Sequence, residues 1–306
     1  MSVALRPRRA GQNGVVRHSR SKEFDDALSL TSGGRGGRWN DVASDPNAAA
    51  ALAHRAATLR AAWRPPIRDR ARFLEERCGG RRVLDIGCVA HDVARMDSPL
   101  WLHRRLAAVA ARCIGVDVLA EGAAAMRERG FEVVVHDLRD GLGPLASEGP
   151  FDVIVAGELI EHVESIDMLF RTAREALAPG GELLVTTPNP YAPHRVRAAQ
   201  LGIVWENADH ILYAFPSGMA ELAERHGLVL SEAAVTDDRQ RLGLIGRLKG
   251  GRRRLRGSHW LNVGYSTIGD CRVRRVRRGL IRTQRLRGRF LGETFVYVVR
   301  DRDGSQ

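Results

Sequence analysis

Beyond Gly79-Gly80 the chain alternates short apolar runs with amphipathic stretches, and this alternation restricts the fold more than any other feature of its 306 residues. Apolar runs read as strands at Val83–Ile86, Ile114–Val118, Glu132–His136, Asp152–Ala156, Glu182–Thr186 and Val229–Ala233. Between them, Trp101–Cys113, Glu121–Arg129, Met168–Leu177 and Ser217–His226 read as helices. Strands and helices repeating at this spacing form parallel βαβ units, so the expected core is a doubly wound α/β sheet with helices on both faces. A final strand, Thr294–Val299, arrives after a long interval. Ahead of the core, Ala48–Trp63 and Ile67–Cys78 read as helices parted by the breaker Pro65-Pro66.

Charge is confined to one place. The chain carries a net +12, but Arg239–Arg289 alone holds seventeen Lys/Arg against one acid, Asp270. That surplus exceeds the net charge of the whole, so the remainder is mildly acidic. All basic residues except Lys22 and Lys249 are arginines, a bias of composition as much as of binding. Within this segment Val273, Val276, Leu280 and Ile281 recur at helical spacing among arginines. We read it as a basic insert for an acidic or lipid-linked substrate or an anionic membrane surface, ahead of a plain solvated face. Nucleic acid ranks lower, because only Trp260 and Tyr265 offer rings for stacking there. The expected organisation is a disordered basic extension at 1–48, helices at 49–79, a core at 80–237, the insert at 238–290, and the last strand and tail at 291–306. No run approaches the roughly 20 apolar residues of a membrane span. Met1–Arg20 lacks the apolar centre of a signal peptide. Cys78, Cys88, Cys113 and Cys271 show neither metal spacing nor a disulfide framework. The expected setting is cytoplasmic, peripheral at the inner membrane face if the insert binds lipid.

In an open α/β sheet, ligands sit at the carboxyl ends of strands near the switch point, and those ends hold the informative residues. The first strand ends Leu84-Asp85-Ile86-Gly87-Cys88, where a glycine lets backbone approach a ligand. The second ends in Asp117, suited to two ribose hydroxyls. The third ends His136-Asp137, where a carboxylate can accept from an exocyclic amine, and the fourth runs into Gly157-Glu158-Leu159-Ile160-Glu161-His162. A dinucleotide-dependent dehydrogenase would share some of this, but Gly87 is followed by Cys88, Val89, Ala90 and His91, not by G-x-G-x-x-G. Asp85 in the turn would repel a pyrophosphate, yet suits the ammonium and sulfonium of S-adenosylmethionine.

Five segments in order now carry a resemblance: VLDIGC (Val83–Cys88), IGVD (Ile114–Asp117), FDVIVAGELIEHV (Phe151–Val163), APGGELLVTTPNP (Ala178–Pro190) and DHILYAFPSGMAEL (Asp209–Leu222). The chain resembles class I S-adenosylmethionine-dependent methyltransferases over about residues 80–237 and the last strand, notably the branch that includes ubiquinone-biosynthesis O-methyltransferases. The resemblance implies a Rossmann-like seven-stranded sheet with an antiparallel last strand. It implies a donor site drawn from Asp85, Gly87, Cys88, Asp117, Asp137, Leu138 and Glu158. Two departures stand out: Val89 and His91 occupy positions where the family has glycines, and Asp85 to Asp117 spans 32 residues against the ~20 of a compact nucleotide unit. The extra stretch, Ala94–Leu102, is expected as a loop over the donor site.

A narrower likeness links Glu158-x-x-Glu161-His162, Thr187-Pro188-Asn189 and Asp209-His210 to small-RNA 2′-O-methyltransferases. It implies Mg²⁺ or another divalent cation held by Glu158, Glu161, His162 and His210, with Glu158 and Glu161/His162 sharing a helical face. Without a metal, His162 or His210 is the candidate general base, with Glu161 beside it. Asn189-Pro190-Tyr191 follows the fifth strand, the wrong place for an amino-methylation motif, and Tyr191, His194 and Trp205 fall in the expected substrate loop. The reaction expected is methyl transfer to an oxygen of a small molecule, sugar or lipid-linked glycan. Its rivals are RNA ribose methylation and a non-catalytic binding protein with a degenerate donor loop.

Overall fold

The computed structural model describes residues 38–90, 93–236, 290 and 292–302. Most of the N-terminal extension, His91 and the arginine-rich insert therefore lie outside the described residues. The chain divides into two compact units, Met1–Ala57 and Thr58–Gln306. In the first, the described part holds a short 3₁₀ turn, Trp39–Asp41, and the beginning of helix α1 (Ala49–Ala62). Everything below concerns the second.

That unit is built on seven strands: β1 Arg82–Ile86, β2 Arg112–Asp117, β3 Glu132–Val135, β4 Phe151–Gly157, β5 Leu177–Pro188, β6 Leu228–Val235 and β7 Thr294–Asp301. They form one sheet in the order β3-β2-β1-β4-β5-β7-β6. Strands β1 to β5 pair in parallel, and β7 runs antiparallel between β5 and β6. The expected doubly wound sheet with an antiparallel last strand is thus the fold.

The period of two along each strand sorts side chains to two faces. Leu84, Ile86, Ile114, Val116, Ile154, Leu183, Val185, Phe295 and Tyr297 enter one cluster with α5 (Asp167–Ala176) and α7 (Pro216–Arg225). Val83, Cys113, Val153, Val155, Leu184 and Val298 enter another with α2 (Arg70–Cys78) and α3 (Leu102–Val109). The α4 helix (Ala120–Glu128) adds Ala123 and Met126 to a third cluster around Cys88 and Met96. Both faces are covered, which is why the parallel strands read as unbroken apolar runs.

Local chemistry moved several expected boundaries. The second helix starts at Arg70, because the Asp69 carboxylate accepts the Arg72 N–H as an N-cap. Trp63 and Ile67, ahead of it, instead make parallel bridges to Ala233 and Thr236 at the edge of β6. The third helix ends at Val109, since Arg112 and Cys113 are drawn into the β1–β2 ladder. A helix within the expected substrate loop, α6 (Pro193–Gln200), was not expected; Pro193 opens it at the position proline tolerates best. No helix among the described residues is long and apolar enough to cross a membrane.

Asn189 closes the sheet where β5 meets β7. It is fully buried; its Nδ2 donates to the carbonyls of Phe290 (2.6 Å) and Gly292 (2.8 Å), and its Oδ1 accepts Tyr191 N–H (2.9 Å). Asn189→Ala strands three backbone groups, and is expected to lower stability by roughly 2–4 kcal/mol, read as a lower urea midpoint at unchanged slope.

Candidate active site

At the carboxyl ends of β1 to β4 the chain leaves a cavity of about 290 Å³, lined by Ile86, Gly87, Val116–Val118, His136–Arg139, Leu159, His162–Ser165 and Met168. It opens where the strand order reverses between β1 and β4, the place the topology reserves for a ligand. Gly87 turns the chain at φ +71°, and a side chain there would press on Leu159 Cδ1 at 2.7 Å. Its N–H donates to the Val116 carbonyl (2.9 Å), which ties the turn to β2.

Two of the departures, Val89 and the long interval, are absorbed by the packing around the turn. Val89 does not line the cavity; its side chain lies over Gly122 of α4, where any Cβ would overlap Val89 Cγ1. The expectation of a loop over the donor site at Ala94–Leu102 is corrected. Those residues form a 3₁₀ turn, Val93–Asp97, and a return leg whose Met96 and Trp101 are buried among Cys88, Ala123 and Met126. The stretch is apolar enough to pack, and the long interval between Asp85 and Asp117 becomes a buttress behind the turn. Trp101 Nε1 donates to the Cys88 carbonyl (3.2 Å).

Of the residues expected at the site, Gly87, Asp117, Asp137, Leu138 and His162 line the cavity, whereas Asp85, Cys88, Glu158, Glu161 and His210 do not. Asp117 accepts Val89 N–H on Oδ2 (2.9 Å) and Leu119 N–H on Oδ1 (3.1 Å). Each oxygen keeps a further lone pair for a ligand. Asp137 pairs with Arg139 (2.6 Å), whose guanidinium holds the carboxyl below its usual range. Cys88 is buried, and burial pushes its thiol far up, so it stays protonated and unreactive. Asp85 is only 3% exposed, and its Oδ2 meets His103 Nδ1 at 2.9 Å. The expected direct contact between Asp85 and a ligand's ammonium gives way to this buried pair.

Beyond β4 the expected helical face is corrected. Residues 158–163 form a turn, with His162 N–H bonded to the Leu159 carbonyl (2.9 Å), and α5 begins only at Asp167. Glu158, at φ +55°, is the one non-glycine residue in the left-handed region among the described residues, a conformation that costs about 1–2 kcal/mol. Its carboxylate goes to Arg70 (2.9 Å), which also donates to Thr186 Oγ1 (3.1 Å). The four-residue set thereby separates: Glu161, His162 and His210 present ligand atoms within 4.8 Å of one another, and Glu158 is directed to Arg70.

Glu161 is buried and accepts Thr187 Oγ1–H (2.9 Å), while its Oε1 has no hydrogen-bond partner among the described residues. Burial, and then the Glu158 charge, push its carboxyl up to about 7. His162 Nδ1 meets Asp209 Oδ2 at 3.0 Å, and its ring stands edge-on to His210 at 4.7 Å. His210 Nδ1 faces Glu206 (3.3 Å), which Arg195 also engages (2.8 Å). The sequence reading quoted Asp209 and Thr187 but gave them no role, and it missed Arg70 and His103. Asp209 had a signal, being next to His210; Arg70 and His103 come from helices whose approach no local pattern announces.

Two outcomes follow from these contacts. Gly122→Ala is expected to cost roughly 1–3 kcal/mol by forcing Val89 out of its seat, and adding Val89→Ala should restore most of the loss in thermal unfolding. Glu161 has a folded-state value near 7 against an ordinary 4.5, so its protonated form supports the fold fully below about pH 4.5 and that support is lost as pH rises through about 7. Glu161→Gln should therefore gain stability relative to the parent chain between about pH 5 and pH 8, by on the order of 1–3 kcal/mol, in paired urea titrations.

A family model described as a methyltransferase domain matches residues 53–233, more than half of the chain. The mitochondrial ubiquinone biosynthesis O-methyltransferase of Mus musculus is 28% identical over 170 residues, 51% of this chain and 43% of that protein. That of Azorhizobium caulinodans is 32% identical over 142 residues, 45% of this chain and 50% of the relative. A Mycolicibacterium smegmatis protein named "Probable S-adenosylmethionine-dependent methyltransferase" is 32% identical over 182 residues, 53% of this chain and 66% of its own length. The chain thus spans about half to two thirds of the length of these relatives.

Proposed function

Since the chain belongs to the methyltransferase-domain family, we propose that it transfers the methyl group of S-adenosylmethionine to an oxygen of a small-molecule acceptor, a hydroxyl compound or a sugar, including a lipid-linked one. The observation that carries this reading is the placement of His162. It lines the cavity at the ends of β1 and β2, and its Nδ1 lies 3.0 Å from Asp209 Oδ2.

The cavity residues suit the donor. The turn at Gly87 offers backbone without a side chain, Asp117 accepts from ribose hydroxyls, and Leu138 gives an apolar wall beside Asp137 for the adenine amine. S-adenosylmethionine supplies an electrophilic methyl on a sulfonium. Bound there, it would give that methyl to the acceptor oxygen and leave as adenosylhomocysteine, and the His162 imidazole would take the acceptor's proton. The Asp209 carboxylate, 3.0 Å from His162 Nδ1, would stabilise the imidazolium that forms. Oxygen as the acceptor atom agrees with the names of two of the relatives, ubiquinone biosynthesis O-methyltransferases.

A second reading rests on the grouping of Glu161, His162 and His210 and on the unbonded, buried Glu161 Oε1. These donors suit a divalent cation beside the acceptor, which would lower the hydroxyl pKa. Turnover unchanged after exhaustive chelation would support the proton-transfer reading. Turnover lost and then restored by Mg²⁺ or Mn²⁺ would support the cation. The arginine-rich 239–289 would serve an acidic acceptor or an anionic membrane surface in either case, and its charge is the support for that.

Adenosylhomocysteine at about 100 times its dissociation constant should add about 2.7 kcal/mol to stability, and Asp117→Ala should lose most of that shift. His162→Ala should lower kcat by roughly 10²–10⁴-fold with adenosylhomocysteine affinity little changed, and Asp209→Asn by a smaller factor. Full turnover in His162→Ala would overturn the assignment.

A further inference from the structure

The buried pair behind the Gly87 turn has no part in the chemistry just described, yet it sits where the donor loop takes its shape. A carboxylate in the middle strand of a sheet is costly to bury without a partner. Asp85 is such a group, and among the described residues its side chain bonds only His103, itself 1% exposed. The contact joins Asp85 Oδ2 to His103 Nδ1, the ring nitrogen nearer the helix backbone.

Three other features converge on the same imidazole. Space for it comes from β2: a side chain at Gly115 would lie 3.1 Å from His103 Cε1 and 2.5 Å from Cys88 Sγ. Its ring is held between Trp101 (5.4 Å) and Phe131 (5.3 Å). Trp101, two residues before it, holds the Cys88 carbonyl through its indole N–H at 3.2 Å. All of these except Phe131 come from the lengthened interval between Asp85 and Asp117, or from the space left for it.

We infer that His103 is a positioning residue for the donor site: it fixes Asp85 at the end of β1 and, with Trp101, sets the course of the Gly87–Cys88 turn against which the donor binds. This rests on the donor site proposed above. His103 does not line the cavity, so it acts on donor affinity and leaves the methyl-transfer step alone.

The test compares His103→Asn, whose amide nitrogen reaches the position of Nδ1, with His103→Gln, whose amide reaches that of Nε2. Trp101→Phe removes the indole N–H and keeps a ring. Binding of adenosylhomocysteine by calorimetry and the split between KM for the donor and kcat are the readouts, with circular dichroism confirming that each variant is folded. His103→Gln and Trp101→Phe are expected to weaken adenosylhomocysteine by about tenfold or more and to raise the donor KM in step, with kcat at saturating donor nearly unchanged. His103→Asn is expected to recover most of the affinity. Equal affinity in the Asn, Gln and parent chains, or a loss in kcat at constant KM, overturns the inference. Failure of the parent chain itself to bind adenosylhomocysteine would count against the donor site and so be told apart from failure of His103's role.

Discussion

Everything at the site depends on the parallel pairing of β1 with β2 on one side and β4 on the other. From that central strand the chain winds outward first through β2 and β3, then returns and winds the other way through β4 and β5. The connections leaving the carboxyl ends therefore part at the β1–β4 junction, and the gap between them is the cavity. With both faces of the central strands covered by helices, the sheet ends are the only part of these strands where polar groups can meet solvent or a ligand without desolvation. Asp117, Asp137 and Glu158 all stand at such ends.

The turn after β1 shows how packing space can be shifted between residues without loss of the fold. Val89 is matched by a glycine at 122, Cys88 and the His103 ring by a glycine at 115, and Gly87 itself yields to Leu159. Side-chain volume has moved from the helices and strands into the turn, while the surface facing the cavity stays open at Gly87. Close packing makes each exchange a pairwise one, since an interior of crystal-like density leaves no slack for an unmatched methyl group.

Beyond β4 the organising force is charge. Arg70, Glu158, Glu161, His162, Asp209, His210, Glu206 and Arg195 are joined by ion pairs and ring contacts, or act on one another through charge. The buried carboxyl of Glu161 is the one that departs furthest from ordinary behaviour, because it loses solvent and gains only Thr187 as a bonded partner. His162 at the cavity wall is grouped with that carboxyl and with His210 and lies 3.0 Å from Asp209, so groups remote in sequence meet at its ring.

How much of this was legible in the sequence follows from the range of each interaction. The strands at Val83, Ile114, Asp152 and Glu182 were legible because burial on both faces demands apolar runs, and βαβ connectivity then dictates parallel pairing. Gly87, Asp117, Asp137, Leu138 and His162 line one cavity, since residues following the strands of one parallel sheet share one edge. The turn at 158–163, the buried leg at 94–102 and the pairing of Glu158 with Arg70 were not legible. Each depends on which distant atoms come within a few ångströms, and no local period encodes that. The sequence by itself determined the fold class and the sheet edge at which the cavity opens, because pattern and connectivity act along the chain. Only the tertiary structure decided which carboxylates face the cavity and which are neutralised behind it, because charge pairing and close packing act across space between segments that are remote in sequence.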